Sequence, residues 1–265
     1  MSYYFMFVIL FFIIAYFVDA YEKKELPHFF KASAILALAA VVGVCVNISN
    51  LYHTYEYSKE TMRGKSELKQ EGPAANQTSS GLDRDYITNW SYGIGETLTL
   101  LVPNVKGGGC STTLSQNETA MAKANPMYGN LYSQLTPYFG DQPWTAGPVY
   151  VGAFVVFLFI LGCFIVKGPL KWALLGATIF SILLSWGKNF MGLTDFFIDY
   201  IPMYNKFRAV SSILVIAEFT IPLLAIFALK EILSKPDILK LKENRTGVIV
   251  TLVLTAGVAL ILAVA

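Results

Sequence analysis

Long apolar stretches limit what this chain can fold into more than any other feature of its sequence. A helix needs roughly 20 mostly apolar residues to cross about 30 Å of membrane hydrocarbon. The stretches that meet or approach this length are residues 3–18, 29–51, 149–166, 172–186, 209–229 and 248–265. The sequence therefore predicts an all-α membrane protein, a polytopic transmembrane helical bundle of about six spans with a large extracytoplasmic loop.

Composition agrees with a membrane location and excludes other classes of protein. Hydrophobic residues make up 55% of the 265-residue chain and charged residues only 14%, against about 25% charged in soluble domains. A net charge of +2 provides no basic surface for nucleic acid. Three cysteines form no disulfide framework, and two histidines are too few for a His-based metal site. No metal-binding residue is therefore assigned.

Two polar connections separate three pairs of predicted transmembrane helices. The pairs occupy residues 1–51, 149–186 and 209–265, and the connections between them are a long loop at 52–148 and a shorter segment at 187–208. Short cytoplasmic connections of membrane proteins are rich in Lys and Arg. Basic residues concentrate in the other short connections, at Lys23, Lys24, Lys31, Lys167, Lys171, Lys230, Lys235, Lys240, Lys242 and Arg245. We therefore expect 52–148 and 187–208 to lie together outside the cytoplasm.

Both ends of the chain lie in apolar runs. The first run begins at Tyr3 and the last continues to Ala265, without the polar or aromatic anchors that usually flank a span. This pattern predicts that the chain is part of a longer polypeptide whose remainder is missing. A complete protein with two bare termini is the alternative.

The long loop carries the candidate acidic residues. Its first part, 58–80, is charged and then polar, which is typical of a solvated helix face or a mobile segment. In residues 81–104, aromatic residues alternate with glycines and with the carboxylates Asp83, Asp85 and Glu96. Aromatic rings stack on the apolar faces of sugars and carboxylates accept sugar hydroxyl hydrogens. The segment is therefore either a carbohydrate-facing loop or an aromatic plug against the membrane surface.

The connection 187–208 is predicted to hold an interfacial helix. Thr194 is a plausible N-cap, and the aromatic residues that follow form an apolar face suited to the membrane surface. Lys188, Lys206 and Arg208 flank this helix where lipid headgroups lie. These cations either bind the phosphate of a lipid-linked sugar or anchor helix ends by snorkelling.

Glu218 is an ionisable residue inside the fifth apolar stretch. Such residues cost about 2.5 kcal/mol or more within a membrane and are functional candidates. Pro222 follows one turn later and removes a helical hydrogen bond, which predicts a local opening beside Glu218. The alternative is a hydrogen-bonded Glu that holds neighbouring helices together.

Several sequence blocks together resemble the YfhO family of bacterial membrane proteins, in its Bacteroidetes form. The blocks are Arg63-Gly-Lys-Ser-Glu67, Gly81-Leu-Asp-Arg-Asp-Tyr86, Trp90-Ser-Tyr-Gly93, Glu96-Thr97, Leu101-Val-Pro-Asn104, Gly140-Asp-Gln-Pro-Trp144, Gly147-Pro-Val-Tyr-Val-Gly152, Leu184-Ser-Trp-Gly-Lys-Asn189 and Tyr204-Asn-Lys-Phe-Arg208. Family members are longer, with a dozen or so spans, and this chain resembles their central part. They are similar to GT-C glycosyltransferases, which use a polyprenyl-phosphate-linked sugar on the outer face of the membrane.

The resemblance implies a multi-pass protein of the bacterial inner (cytoplasmic) membrane that modifies a cell-envelope glycan. Its partners would be membrane lipid, a polyprenyl-phosphate sugar donor and an envelope glycan acceptor. The main catalytic acid is expected in an earlier loop that this chain lacks, so Asp83, Asp85 and Glu96 are candidates for assisting acid or base roles. Lys188, Lys206 and Arg208 are candidates for the donor phosphate. No cofactor is identified, and a divalent metal at the leaving phosphate stays open.

Two other functions remain open at this point. A transporter or flippase of lipid-linked glycans would use Glu218 and the break at Pro222 as a gate. A non-catalytic scaffold would instead assemble envelope enzymes in the membrane.

Overall fold

Helices account for the regular structure of the chain. The computed structural model describes residues 2–61, 64 and 81–264, and no strand occurs among them. The resemblance block at Arg63–Glu67 and most of the polar part of 58–80 lie outside the described residues. The α-helices are α1 (Ser2–Glu22), α2 (Leu26–Val46), α3 (Ile48–Lys59), α4 (Arg84–Thr88), α5 (Glu118–Lys123), α6 (Gly129–Tyr132), α7 (Ala153–Ile165), α8 (Pro169–Ser185), α9 (Met191–Tyr200), α10 (Val215–Ser234), α11 (Lys242–Leu252) and α12 (Val258–Val264).

Short 3₁₀ helices join or extend many of these elements. They occupy Gly95–Leu100, Leu114–Gln116, Pro126–Tyr128, Gly187–Phe190, Tyr204–Lys206, Val210–Leu214 and Pro236–Lys240, and a π-helical turn at Val253–Gly257 joins α11 to α12. Tight turns of this kind are frequent at the ends of α-helices. In the last two apolar stretches these turns extend or join the neighbouring α-helices into the continuous helices Val210–Ser234 and Lys242–Val264.

The predicted all-helical fold is confirmed, and helices that could span a membrane are present, but the number of six spans is not confirmed. In the described part of the chain, helices long and apolar enough to cross a membrane run over Tyr3–Glu22, Leu26–Val46, Val210–Ser234 and Lys242–Val264. The third and fourth apolar stretches form α7, with 13 residues, and α8, with 17. At 1.5 Å per residue these helices are about 20 and 26 Å long, shorter than the hydrocarbon layer.

α10 is the central helix of the bundle. It packs against α7 and α8, and α1 also packs against α8. The close approach of α7 and α10 depends on Gly162, since a Cβ there would lie 3.1 Å from Leu224. Across the other contact, the hydroxyls of Thr178 and Thr220 are 2.7 Å apart. Small residues and paired hydroxyls are the features that hold helices together in a membrane.

α2 differs from the other long helices because none of its residues is buried. Apolar side chains cover all of its faces, including Ile35, Leu38, Val41 and Val44. A helix that is apolar on every side needs apolar surroundings. When the helix is not packed in the protein core, these surroundings are lipid or another polypeptide. α2 therefore adds little to the protein core and leaves an apolar surface that lipid or another polypeptide would cover.

A sharp bend separates α8 from the helix that follows. The axes of 169–185 and 187–200 differ by 108°. Gly187 lies at the bend with φ +47°, and a Cβ on it would fall 2.1 Å from Ser91 Oγ and 2.5 Å from Val210 Cγ2. Glycine is required here both for the backbone conformation and for the close approach of the neighbouring segments.

Segment 90–93 of the long loop fills the inside of this bend. The Tyr92 N–H donates to the carbonyl of Ser185 at 2.9 Å, and the Lys188 N–H donates to Ser91 Oγ at 2.8 Å. Further along, the Ser211 N–H donates to the carbonyl of Trp90 at 3.2 Å. The loop and the connection 187–208 are therefore in direct contact at one end of the bundle.

The substitution Gly187→Ala is expected to destabilise the fold by roughly 2–4 kcal/mol. The added methyl group forces a left-handed conformation on a residue with a Cβ and overlaps Ser91 and Val210. Thermal unfolding of the purified protein in detergent checks this through a lower midpoint. Gly192→Ala is the control, because nothing lies within 4 Å of a Cβ at Gly192, and it should keep or slightly raise the midpoint. Equal midpoints for the two variants would contradict the role given to Gly187.

Candidate functional site

The candidate site is the polar cap, defined as residues 81–152 and 185–211, which lies at the bent end of the bundle. It contains every sequence-predicted site residue except Glu218. Its parts are joined by hydrogen bonds between distant residues, for example Leu82 N–H to the carbonyl of Asn205 at 3.0 Å and Trp186 Nε1 to Thr97 Oγ1 at 2.9 Å. The chemistry of the cap depends on which of its charged groups are occupied by such contacts.

Glu96 is buried and fully bonded. It lies on the 3₁₀ helix Gly95–Leu100 with 3% of its surface exposed. The Gly93 N–H donates to Oε2 at 2.6 Å, and the Tyr138 hydroxyl donates to Oε1 at 2.6 Å. The cavity beside it measures only about 10 Å³, about the space of one water. Glu96 therefore ties the loop segments together and is closed to a sugar hydroxyl.

Asp141 is an acidic group that the sequence reasoning did not select. Its Oδ2 accepts a hydrogen bond from Asn189 Nδ2 at 2.9 Å, and its carbonyl accepts one from Lys188 Nζ at 3.1 Å. A Cβ on Gly93 would lie 2.8 Å from Asp141 Oδ2 and 2.9 Å from Glu96 Oε2. Gly93 thus allows a buried and an exposed carboxylate to approach each other. The sequence signal for it was its place in the resemblance block Gly140-Asp-Gln-Pro-Trp144.

Asp83 and Asp85 belong to a different element from Glu96. Asp83 occupies the N-cap position of α4 without a side-chain capping bond, and Asp85 is exposed in its first turn. Both lie close in sequence to Arg84, whose side chain is turned toward α9. The predicted carboxylates therefore differ in exposure to solvent, since Asp83 and Asp85 are partly or fully exposed and Glu96 is buried.

Arg84 joins α4 to α9 through a forked ion pair. Its Nη1 lies 2.6 Å from Asp195 Oδ1 and its Nη2 lies 2.7 Å from Asp199 Oδ1. The two aspartates are one helical turn apart and so present adjacent carboxylates to the guanidinium. The prediction of Thr194 as an N-cap is wrong. The helix begins earlier, at Met191, and the buried Thr194 hydroxyl donates to the carbonyl of Gly187 at 2.9 Å.

Arg208 contrasts with Arg84 because its guanidinium has no carboxylate partner within the described chain. Its Nη1 donates to the Tyr86 hydroxyl at 2.8 Å. The guanidinium carbon lies 5.8 Å from the centroid of the Tyr86 ring and 5.7 Å from that of Trp90. The two rings hold the exposed cation in place by cation–π attraction. Most of its N–H donors remain open to an incoming anion.

Lys188 and Lys206 complete the predicted cationic group. Lys188 is exposed and follows the bend, while Lys206 is half-buried and makes contacts of its own. Burial lowers the pKa of Lys206. Lys188 and Arg208 both contact residues 90–91. The Lys188 N–H donates to Ser91 Oγ, and the Arg208 guanidinium lies beside the Trp90 ring. The structure thus places two exposed cations around the same short segment.

Glu218 lies outside the cap, on the exposed side of α10. It is the fourth residue of that helix and, within the described chain, makes neither an ion pair nor a hydrogen bond. α10 continues through Pro222 as one helix, so the opening predicted beside Glu218 does not occur. The neighbouring helical turns compensate for the lost Pro222 donor without a break.

Metal binding has no ready site in the part of the chain that the structure describes. No group of three or more His, Cys, Asp or Glu side chains converges there in a way that could hold an ion. Asp141 is instead coordinated by amide and ammonium donors. The chemistry available at the cap is that of carboxylates, cations and hydrogen-bond donors.

Comparison with known proteins identifies no relative of this chain. No protein-family model, no curated protein and no solved structure matches it. The resemblance to the YfhO family therefore stays a prediction from the sequence blocks. The function has to be argued from the cap itself.

Arg84→Ala is expected to reduce stability by about 1–2 kcal/mol, since it removes two charge-assisted hydrogen bonds between α4 and α9. Chemical denaturation in detergent measures the difference. Lys240→Ala is the matched control, because the Lys240–Asp237 pair is 80% and 81% exposed at its side chains and should give no measurable change. Arg84→Ala behaving like Lys240→Ala would show that the forked pair does not hold the cap.

The cap is expected to lose stability in alkaline solution between pH 10 and about 12. Burial raises the pKa of Tyr92 from 10.0 to about 12, so the folded state resists the phenolate that the unfolded state forms freely. The stabilisation is complete below pH 10 and is lost as pH rises through the folded pKa. Denaturation midpoints measured from pH 8 to 12 should fall less steeply in Tyr92→Phe than in wild type. Exposed Tyr200→Phe is the control and should follow wild type.

Proposed function

We propose that the chain is part of a YfhO-like integral membrane protein, a GT-C-type glycosyltransferase of the bacterial inner membrane. It takes a sugar from a polyprenyl-phosphate donor and passes it to a cell-envelope glycan or polymer. The observation that carries this proposal is the exposed guanidinium of Arg208, held between Tyr86 and Trp90 without a carboxylate partner in the described chain.

The position of Arg208 supports a phosphate of lipid origin. The apolar span Val210–Ser234 begins two residues after it, so the guanidinium lies where that helix would leave the hydrocarbon. Lipid phosphates lie at the same depth, and an arginine binds them through paired hydrogen bonds. A polyprenyl chain attached to such a phosphate would extend along the apolar helices while its sugar faces the cap.

α9 supports an interfacial position for the same region. Phe196 and Tyr200 are 50% and 72% exposed, while Phe197 and Ile198 on the next face are buried. Asp195 and Asp199 occupy the remaining side and bind Arg84. A short helix with an exposed aromatic face and a bonded acidic face suits the boundary between headgroups and acyl chains. The large loop would then be extracytoplasmic, in contact with the donor headgroup.

The chemistry of sugar transfer matches groups that solvent reaches at the cap. A carboxylate takes the proton from the acceptor hydroxyl, and a cation stabilises the departing phosphate. Asp83, Asp85 and Asp141 are accessible carboxylates, and Lys188 beside Asp141 is an exposed cation. Glu96 is assigned a supporting role because its oxygens are already bonded. The main catalytic acid is expected in the preceding part of the polypeptide.

A transporter or flippase of lipid-linked glycans is the second candidate function. Its specific support is the 108° bend between 169–185 and 187–200 together with the unpaired Glu218 on a spanning helix. Broken helices and intramembrane carboxylates are typical of substrate pathways in transporters. The continuity of α10 through Pro222 removes the gate first expected there, so any gating would use the α8–α9 bend.

Arg208→Ala is expected to weaken binding of a short-chain polyprenyl phosphate by about tenfold or more, the loss of a charge-assisted hydrogen-bond pair. Binding is measured on the purified protein in detergent by titration. Lys23→Ala is the control, since Lys23 is bonded to Asp19 at the end of α1 and belongs to the predicted cytoplasmic side. Equal loss of polyprenyl-phosphate binding in the two variants would contradict the phosphate assignment. Polyprenol, which has no phosphate, should bind equally to both variants.

The same preparation separates the two candidate functions. In proteoliposomes with a labelled polyprenyl-phosphate sugar, a transferase passes label to an added glycan acceptor. A transporter changes only the leaflet in which the labelled lipid is found. Movement without transfer would favour the second candidate.

A further inference from the structure

We propose that a groove on the long loop of the polar cap binds a neutral oligosaccharide. The groove has a volume of about 530 Å³ and is formed by the glycine run at 107–109, by residues around α5 and by Pro137. A site of this size lies in the range of ligand pockets and has room for about two or three sugar rings. No role has been given to it by the donor-phosphate site.

Glycines shape one wall of this groove. A Cβ on Gly107 would lie 1.8 Å from the carbonyl oxygen of Pro137, and one on Gly109 would lie 2.5 Å from that of Ala146. Gly107 also has φ +84°. Only residues without a side chain let these backbones pass so closely. Backbone hydrogen bonds from Cys110 to Thr145 and from Leu114 to Leu135, at 2.8 and 2.9 Å, hold the walls together.

The lining chemistry selects a neutral ligand rich in hydroxyl groups. Amides and hydroxyls line the groove at Asn104, Thr112, Thr113, Gln116 and Asn117. The side chains of Asn104, Thr112 and Gln116 make no hydrogen bond to the described part of the chain, so they are available to a ligand. Such groups both donate and accept, as sugar hydroxyls do.

Charge excludes the main competing ligands. No Lys, Arg or His lines the groove, and its one ionisable group is the carboxylate of Glu118. A phosphate or nucleotide would be repelled there rather than paired. A single carboxylate, without a second acidic or imidazole ligand nearby in the described chain, is also a poor metal site. The carboxylate can instead accept a hydrogen bond from a sugar hydroxyl.

Phe139 adds an apolar surface at the edge of the groove. Its ring is in contact with Gly107, because a Cβ on that glycine would lie 2.9 Å from Phe139 Cδ1. The side chain is 65% exposed, and the ammonium of Lys106 lies 5.3 Å from the centroid of its ring. A sugar presents C–H groups on its ring faces, and an exposed aromatic ring beside polar groups provides the matching surface.

The residues that line the groove support a sugar-binding site independently of the proposed transferase function. Its assignment as the acceptor site rests on the proposed transferase function. In that arrangement the donor phosphate binds at Arg208, and the acceptor glycan binds in the separate groove on the long loop.

The test is a titration of the purified full chain with neutral tetrasaccharides, namely cellotetraose, maltotetraose, chitotetraose and mannotetraose. Tetragalacturonate and inorganic phosphate are the anionic probes. At least one neutral probe should bind saturably and more tightly than either anion. Thr112→Ala combined with Gln116→Ala should weaken that binding by about tenfold, through the loss of two hydrogen-bonding groups. Phe139→Ala should weaken it as well.

Gln134→Ala is the matched control, since Gln134 is an exposed amide outside the groove and should bind sugar like wild type. The variants replace exposed side chains, and unchanged thermal midpoints establish that they fold. Absence of binding by every neutral probe, tighter binding of an anion, or equal binding by wild type and the groove variants would overturn the proposal. Arg208→Ala should leave tetrasaccharide binding unchanged, so failure of the donor site and failure of the groove are separate results.

Discussion

The arrangement of the whole cap depends on how the bend after α8 satisfies its backbone hydrogen bonds. A helix that ends within an apolar bundle leaves carbonyl groups that need donors. Here Tyr92 supplies a donor to Ser185, Thr194 supplies one to Gly187, and Ser91 accepts from Lys188. The loop is therefore hydrogen-bonded into the end of the helical bundle. It is the element that allows the helices to turn through 108° at Gly187.

The same packing divides the charged groups into those that hold the cap and those that remain available. Arg84 is occupied by Asp195 and Asp199, and Glu96 by Gly93 and Tyr138. Arg208 is restrained by the rings of Tyr86 and Trp90 and by a hydrogen bond to the Tyr86 hydroxyl. A charged side chain that is held in place without an ion-pair partner can form a strong hydrogen bond with a ligand of opposite charge. The proposed donor site therefore uses Arg208.

Two kinds of recognition can coexist on a cap of this form. The cationic side adjoins the start of the span Val210–Ser234, whereas the neutral groove around Gln116 lies on the loop between Leu101 and Val149. A transferase that works at a membrane surface has the same requirement, with one substrate anchored in lipid and the other arriving from water. The proposed donor and acceptor sites use different chemistry, charge in one case and neutral hydrogen bonding in the other, and so do not compete.

The sequence by itself determined the helical, membrane-embedded character, because hydrocarbon admits only long runs of apolar residues whose backbones bond within the helix. It also indicated Arg208 and the acidic loop as polar segments near the boundary. It did not determine that Arg84 would be neutralised and Arg208 left open, since the partners of both arginines lie more than 100 positions away along the chain. That difference, the burial of Glu96 and the approach of Asp141 to Lys188 were decided only by the tertiary structure. They depend on contacts between residues about 40 to 120 positions apart, which no local pattern records.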